Sequence, residues 1–264
     1  MNRVLAIDLG GTKTAGAVVD PEGRISNFQK LPSARTLADS VAQIASLTAD
    51  RSAAGVAVPG IYDANTGQAW APNLWGDEFV PLRAALENAL RIPVAIVDDR
   101  VASVTGERWL GVARGIDDVL FVTVGTGIGV GILAGGRVIT GAHGIAGAAG
   151  WMEIGGVWES IAAGPAITAR GDIQKSAELL GIGIANLISI LDPELVVLGG
   201  GAMQRLGGAL EQIRAEALRR TQPVAAKSVR IALSELGENA ALLGAALAAH
   251  ELTNHVGTNI LRAH

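Results

Sequence analysis

Asp8 closes a run of apolar residues and is followed by Gly10-Gly11-Thr12-Lys13, a turn that gathers bare backbone amides, a hydroxyl and an ammonium in one place. Such a turn lets backbone N–H groups approach an anion closely, as phosphate-binding nests do. A carboxylate beside it suits a hydrated Mg2+, which keeps several waters and accepts one or two carboxylates, and Thr12 or Lys13 can add a phosphate contact. The competing reading is an ordinary glycine hairpin in which the turn amides satisfy Asp8. A second copy weighs against coincidence. Residues 4–25 and 119–139 share one plan of apolar run, glycine-rich turn, apolar run and turn, so Gly125-Thr126-Gly127 answers the first turn. No G-x-x-x-x-G-K-[ST] occurs, which disfavours a Walker-type nucleotidase. Two glycine turns facing one another across a cleft suggest a bound nucleotide.

Asp98 and Asp99 stand where an apolar run passes into a helical pattern. A carboxylate at a helix N-terminus is stabilised in its ionised form by free amides and the helix dipole, so capping alone accounts for one of them. The other is a candidate general base, able to orient an attacking hydroxyl and take its proton. On spacing alone, capping outweighs catalysis.

The elements that must position these groups alternate. Helical spacing covers residues 37–48, 80–90, 101–110, 173–191, 206–220 and 240–250, and buried-type strands cover 55–59, 93–97, 195–198 and 228–233. Residues 63–67 read as a turn, 71–77 as an irregular loop, and 141–156 as loop with a strand at its end. Alternating strand and helix argues for α/β lobes with mainly parallel or mixed sheets. The offset between the two hairpins gives each its own lobe: an N-terminal α/β lobe at 1–112 and a C-terminal α/β lobe at 113–264, the last helix packing back on the first lobe. The 264 residues accommodate both.

Composition narrows the function classes. The net charge of -4 and the lack of a Lys/Arg-rich run argue against nucleic-acid binding. The apolar stretch from 119 to 134 is broken by Gly125, Gly127, Gly129 and Gly131, so no membrane span is expected. With Asp8 and two glycines inside the first apolar run, no signal peptide is read and a cytoplasmic protein is expected. Zero cysteines exclude disulfides and thiolate metal sites.

Taken together, Asp8-Leu9-Gly10-Gly11-Thr12-Lys13, Val58-Pro59-Gly60, Pro72-Asn73-Leu74, Asp98-Asp99, Gly125-Thr126-Gly127-Ile128-Gly129 and Leu198-Gly199-Gly200-Gly201 resemble, in order and over nearly the whole chain, the ROK family of sugar kinases. The resemblance implies a two-lobed actin-like ATPase (ribonuclease H-like) fold with a duplicated βββαβα core. It also implies ATP and Mg2+ as cofactors, a sugar or sugar-like polyol as acceptor, and a homodimer. By it, Asp99 is the catalytic base, which reverses the capping preference, and Asp8 helps hold the metal-nucleotide through water. Gly10, Gly11, Thr12, Lys13, Gly125, Thr126 and Gly127 become phosphate loops, and Gly200 and Gly201, with residues 237–244, hold adenosine. Gly60, Asn73, Asp98 and Glu159 become acceptor contacts, Asp98 standing where the family usually has asparagine.

The departures bear on the acceptor. Gly147-Ala148-Ala149-Gly150-Trp151 stands where the family commonly has Gly-Glu-Ile-Gly-His, so Ala148 and Trp151 replace two polar sugar contacts. The family's structural zinc site is ruled out with the cysteines. A site built for hydroxyls disfavours leaving them unpaired. The expected acceptor is therefore different from glucose or less polar than it: a C7-cyclitol, an amino sugar or a deoxy sugar. Trp151 either fills the volume left by zinc or stacks on the ligand. His143, in a Gly-Ala turn, is expected to face solvent. A non-catalytic sugar-sensing pseudokinase is the alternative from a different class, whereas a repressor would need a DNA-binding segment ahead of Val4.

Overall fold

A computed structural model describes residues 3–47, 51–206 and 208–253. β1 (Val4–Leu9) is buried on both faces except at Asp8, as a strand covered by helices on each side must be. It pairs antiparallel with β2 (Lys13–Val19), which pairs antiparallel with β3 (Ile25–Pro32), and it pairs parallel with β4 (Ala53–Val58). β5 (Ile61–Asp63) and β6 (Gln68–Trp70) form a small separate hairpin, and β7 (Val94–Asp98) adds parallel to β4. The sheet order is β3-β2-β1-β4-β7. A second sheet repeats it with β8 (Val119–Val124), β9 (Ile128–Ala134), β10 (Arg137–Val138), β11 (Leu195–Gly199) and β12 (Arg230–Leu233), ordered β10-β9-β8-β11-β12. The sequence duplication is thus a duplication of a mixed sheet.

The helices are α1 (Leu37–Ser46), α2 (Pro72–Trp75), α3 (Leu82–Leu90), α4 (Asp99–Leu110), α5 (Trp158–Ala162), α6 (Gly164–Arg170), α7 (Ile173–Leu191), α8 (Gly201–Arg205), α9 (Leu210–Arg220) and α10 (Ala240–Thr253). Capping side chains set several starts. Thr36 accepts from the amide of Asp39, and Asp172 accepts from that of Lys175. Several sequence expectations change, among them the helix expected over 80–90, which begins at Leu82, and the strand expected over 228–233, which begins at Arg230. Residues 71–77 contain α2, which Pro72 can open because its missing N–H lies in the first turn. Residues 141–156 end in a 3-10 turn at Ala149–Trp151 and a lone Glu153–Val157 bridge rather than a strand. The helix expected over 206–220 begins only at Leu210, while Leu206 closes α8. Thr48, the expected last residue of the first helix, lies outside the described residues, and α1 ends at Ser46.

The second lobe centres on Trp158, fully buried, whose indole Nε1 donates to the Leu179 carbonyl at 3.0 Å. Gly183 of α7 makes that possible, since a Cβ there would lie 2.2 Å from the indole. Two homologous helices join the halves. α4 leans on β8 and β9 of the second sheet, α10 leans on β1, β4 and β7 of the first, and the two pack on each other. At their crossing Gly106 and Gly244 allow backbone-to-backbone contact.

Candidate active site

The parallel strands of each sheet run the same way, so their carboxyl ends gather at one edge, the usual place for a ligand in α/β folds. In the first lobe Asp8 pairs with Ala57 of β4, and Asp98 pairs with Val58. The Asp8 turn and the Asp98-Asp99 step therefore flank one strand end. In the second lobe Thr123, beside the second turn, pairs with Gly199, beside Gly200. Between these edges lies a cleft of about 960 Å³ lined by Asp8, Gly10, Thr12, Lys13 and Asp99 from one side and by Gly125, Thr126, Gly200 and Gly201 from the other. Gly11 lies beside Asn73 and Gly127 beside Glu159, so both sit just off that lining.

Each turn is braced from behind. Gly10 donates its amide to the Lys13 carbonyl at 3.0 Å, and a Cβ on Gly10 would lie 2.7 Å from that oxygen, so the turn closes only around glycine. The Ser33 hydroxyl donates to Gly10 O at 2.6 Å, and the Ser33 amide donates to Thr12 O at 3.1 Å. In the second turn Gly125 donates to Gly127 O at 2.9 Å and accepts from the Gly164 amide at 2.8 Å. Gly200, at φ +91°, sits against the Val124 carbonyl in a conformation that side chains other than glycine's disfavour.

The two carboxylates in the cleft have different surroundings. Asp8 accepts no hydrogen bond among the described residues, so the reading in which turn amides satisfy it does not hold. Burial pushes its carboxyl up to about 6 against the pull of Lys30, with Glu238 adding to the rise. Asp99 is pushed further, to about 7, by burial first and then by the charges of Asp98 and Asp8, with Arg100 opposing. A carboxylate that gains and loses its proton near neutrality in a cleft lined by two glycine turns is equipped for proton transfer.

Asp98 divides the labour with its neighbour. Its Oδ1 accepts the amides of Arg100 at 3.0 Å and Val101 at 2.9 Å, capping α4, and receives Arg100 Nε at 3.2 Å. The two aspartates thus part: Asp98 caps α4, and Asp99, one residue on, lines the cleft. Asp98 lines instead a neighbouring groove along the free edge of β7, with Tyr62, Arg83 and Gly144.

Arg100 carries no signal in the sequence yet ties the surroundings together. Its Nη2 donates to Gly60 O at 3.1 Å and to Gly144 O at 3.0 Å, one from each half of the chain, while its side chain is only 11% exposed. Gly60 is thereby fixed beside Asp98. Asn73 is exposed on α2, its carbonyl held by Arg35 at 2.7 Å. Glu159, at the start of α5, leans on the second turn with Oε2 3.5 Å from the Ile128 amide. Trp151 is 76% exposed and fills no buried volume, so the volume-filling role fails; His143 is exposed. Among the described residues no cluster of three or more His, Cys, Asp or Glu side chains could hold a metal ion, and no helix is long and apolar enough to cross a membrane.

The ROK family model matches residues 4–175 and 159–252. The chain is 33% identical over 282 residues to the bifunctional enzyme NanE/NanK of Brucella suis biovar 1 (strain 1330), with 92% of the chain covered. It spans only about half of that relative's length, 52%. It is 31% identical over 289 residues to N-acetylmannosamine kinase of Salmonella typhi, covering 93% of the chain and 97% of that protein. Among solved structures, a ROK family glucokinase from Streptomyces griseus, crystallised with glucose and AMPPNP, superposes with a TM-score of 0.83 at 27% identity, covering 95% of this chain and 100% of the other. The duplicated sheets are those of the two-lobed actin-like ATPase fold. The chain belongs to the ROK family, as a member that has no cysteine with which to build a zinc site.

Proposed function

We propose that the protein is an ATP-dependent kinase that moves the γ-phosphoryl group to a hydroxyl of a sugar or sugar-like polyol. The observation that carries this reading is Asp99: a carboxylate held near neutrality in the cleft that both glycine turns line. The kinase relatives support the chemistry, and the AMPPNP held by the Streptomyces griseus enzyme supports the donor. Lobe boundaries at 1–112 and 113–264 fit the two sheets.

The turns at Gly10–Lys13 and Gly125–Gly127 bind the phosphate chain through amides, Thr12 and Lys13, while Gly200 and Gly201 hold the adenosine end. Asp99 accepts the proton of the acceptor hydroxyl as that oxygen attacks phosphorus. The phosphoryl transition state is loose and asks little of the base, so most of the work is orientation and exclusion of water. Gly60, Asn73 and Glu159 position the acceptor, joined by whatever Asp98 can offer beyond its cap. Asp8, which accepts no hydrogen bond among the described residues, suits a hydrated Mg2+; with no carboxylate cluster among those residues, the ion would be held through this one side chain, water and phosphate. When bound, the ion neutralises charge on the phosphates.

By the family resemblance Ala148 and Trp151 replace two polar sugar contacts, which supports an acceptor other than glucose, such as a C7-cyclitol or amino sugar. The test is a panel of hexoses, amino sugars and cyclitols with Mg-ATP or polyphosphate, read as product phosphate ester and ADP release. Turnover with an amino sugar or cyclitol exceeding that with glucose is expected. Binding without turnover across the panel would make the chain a sugar-sensing pseudokinase instead.

Arg100 supplies a second check. Replacing it with methionine keeps the buried stem but removes the ion pair with Asp98 and two charge-assisted hydrogen bonds, to Gly60 O and Gly144 O. Such a bond is worth about 1.5–3 kcal/mol, and a loss of that size in the positioning of the acceptor is expected to raise its KM about ten- to hundredfold. Nucleotide affinity, measured by calorimetry, should stay close to wild type.

A further inference from the structure

Lys30 and Glu238 pair within the lining of the cleft. Lys30 comes from β3 of the first sheet and Glu238 from the 3-10 turn Gly237–Asn239 that opens α10. Their Nζ and Oε2 are 2.5 Å apart, and both residues line the cleft beside Asp8, Lys13 and Asp99. Lys13 and Lys30 are the cations in that lining among the described residues, and the Glu238 carboxylate feels both. The charge of Lys30 is in turn felt at Asp8, next to the first glycine turn. A carboxylate therefore holds one of the two lysines that line the cleft and feels the charge of the other, so it occupies a cation that an incoming anion would be drawn to.

We propose that Lys30 is a ligand of the donor's polyphosphate chain and that Glu238 is its resting partner, a carboxylate displaced when the donor enters. This rests on the assignment of the cleft to a phosphate donor. The pair is partly solvated, with side chains 34% and 51% exposed, and an ion pair in such a setting is weak. A polyphosphate brings several charges and charge-assisted contacts of greater strength, so the exchange runs toward the donor. No chemical step is involved; the lysine changes partner. The pair joins two elements far apart in sequence, β3 and the turn before α10, so its release frees both side chains within the cleft lining.

The experiment is calorimetric titration of the wild-type protein, Lys30→Gln, Lys30→Arg and Glu238→Gln with ATP, tripolyphosphate and adenosine, in the presence of Mg2+. Lys30→Gln should weaken ATP and tripolyphosphate by about tenfold, the loss of about one charged contact, while adenosine is unchanged and Lys30→Arg recovers the affinity. Glu238→Gln should act in the opposite direction and tighten both phosphates. Equal gains for ATP and tripolyphosphate identify the phosphate chain as the ligand; a gain for ATP alone identifies the nucleoside triphosphate. A merely structural strap would weaken binding when either residue is replaced, and that result overturns the proposal. So does a Lys30→Gln protein that loses adenosine as much as ATP. Wild-type protein that binds neither phosphate compound removes the cleft assignment itself, and this proposal with it.

Discussion

Asp99→Asn is expected to retain ATP affinity and a folded structure while losing about 10²- to 10⁴-fold in turnover, the range of a positioned general base. The substitution keeps shape and polarity and removes the ability to take a proton. It should also make the protein harder to unfold at alkaline pH. The folded carboxyl titrates at about 7 against an ordinary value of 3.8, so between those values the folded state holds a proton that the unfolded state has released. Stability then falls as pH rises through that window and levels off above it. The asparagine variant lacks this loss, so its thermal midpoint at pH 8 should exceed that of the wild type, whereas near pH 4 the two should converge. Calorimetric scans at the two pH values read the effect. An asparagine variant with unchanged turnover would leave Asp99 without the role assigned to it.

Gly244→Ala carries the second large effect, on stability. A Cβ at position 244 would lie 1.8 Å from the Ala102 carbonyl oxygen, and a Cβ at Gly106 would lie 2.2 Å from the Ala240 carbonyl. The obstacles are backbone atoms of the facing helix, so no side chain can rotate aside. The helices must separate, and each is anchored on a different sheet: α4 on β8 and β9, α10 on β1, β4 and β7. The expected destabilisation is about 3 kcal/mol or more, at the upper end of overpacking and a large part of the total stability of a typical domain. Gly208→Ala, where a Cβ meets nothing within 4 Å, is the control and should stay within about 0.5 kcal/mol. Urea midpoints measure both. Because α4 begins with Asp99, any Gly244→Ala protein that does fold should also show reduced turnover.

The parts of the fold legible in the sequence are those where local pattern and tertiary demand agree. β1, the two glycine turns and the buried strand at 195–198 each announce themselves by an apolar run ending in glycine, and α7 keeps its expected bounds despite Gly181 and Gly183 because the apolar spacing around them is strong. α2 was not legible: the four residues Pro72–Trp75 are too few to show a period. Nor could spacing separate Asp98 from Asp99. Adjacent carboxylates are equivalent in sequence, and only the turn of the backbone into α4 sends one to the helix amides and the other to the cleft. Arg100 and Ser33 were missed for a common reason. Their partners are main-chain carbonyls far along the chain, and a carbonyl leaves no mark in the residue types. Lys30 was hidden because β3 is exposed or half-buried along its whole length and reads as an ordinary surface strand.

The most direct test of the account is the pH dependence of kcat/KM for the acceptor, measured from pH 5.5 to 9 at saturating Mg-ATP. The account expects the rate to climb with pH through an apparent pKa near 7, as Asp99 loses its proton, and expects that limb to vanish from the residual activity of Asp99→Asn. A wild-type profile that is flat across this range, or an asparagine variant that keeps the same limb, would show that the carboxylate at the start of α4 does not take the acceptor's proton.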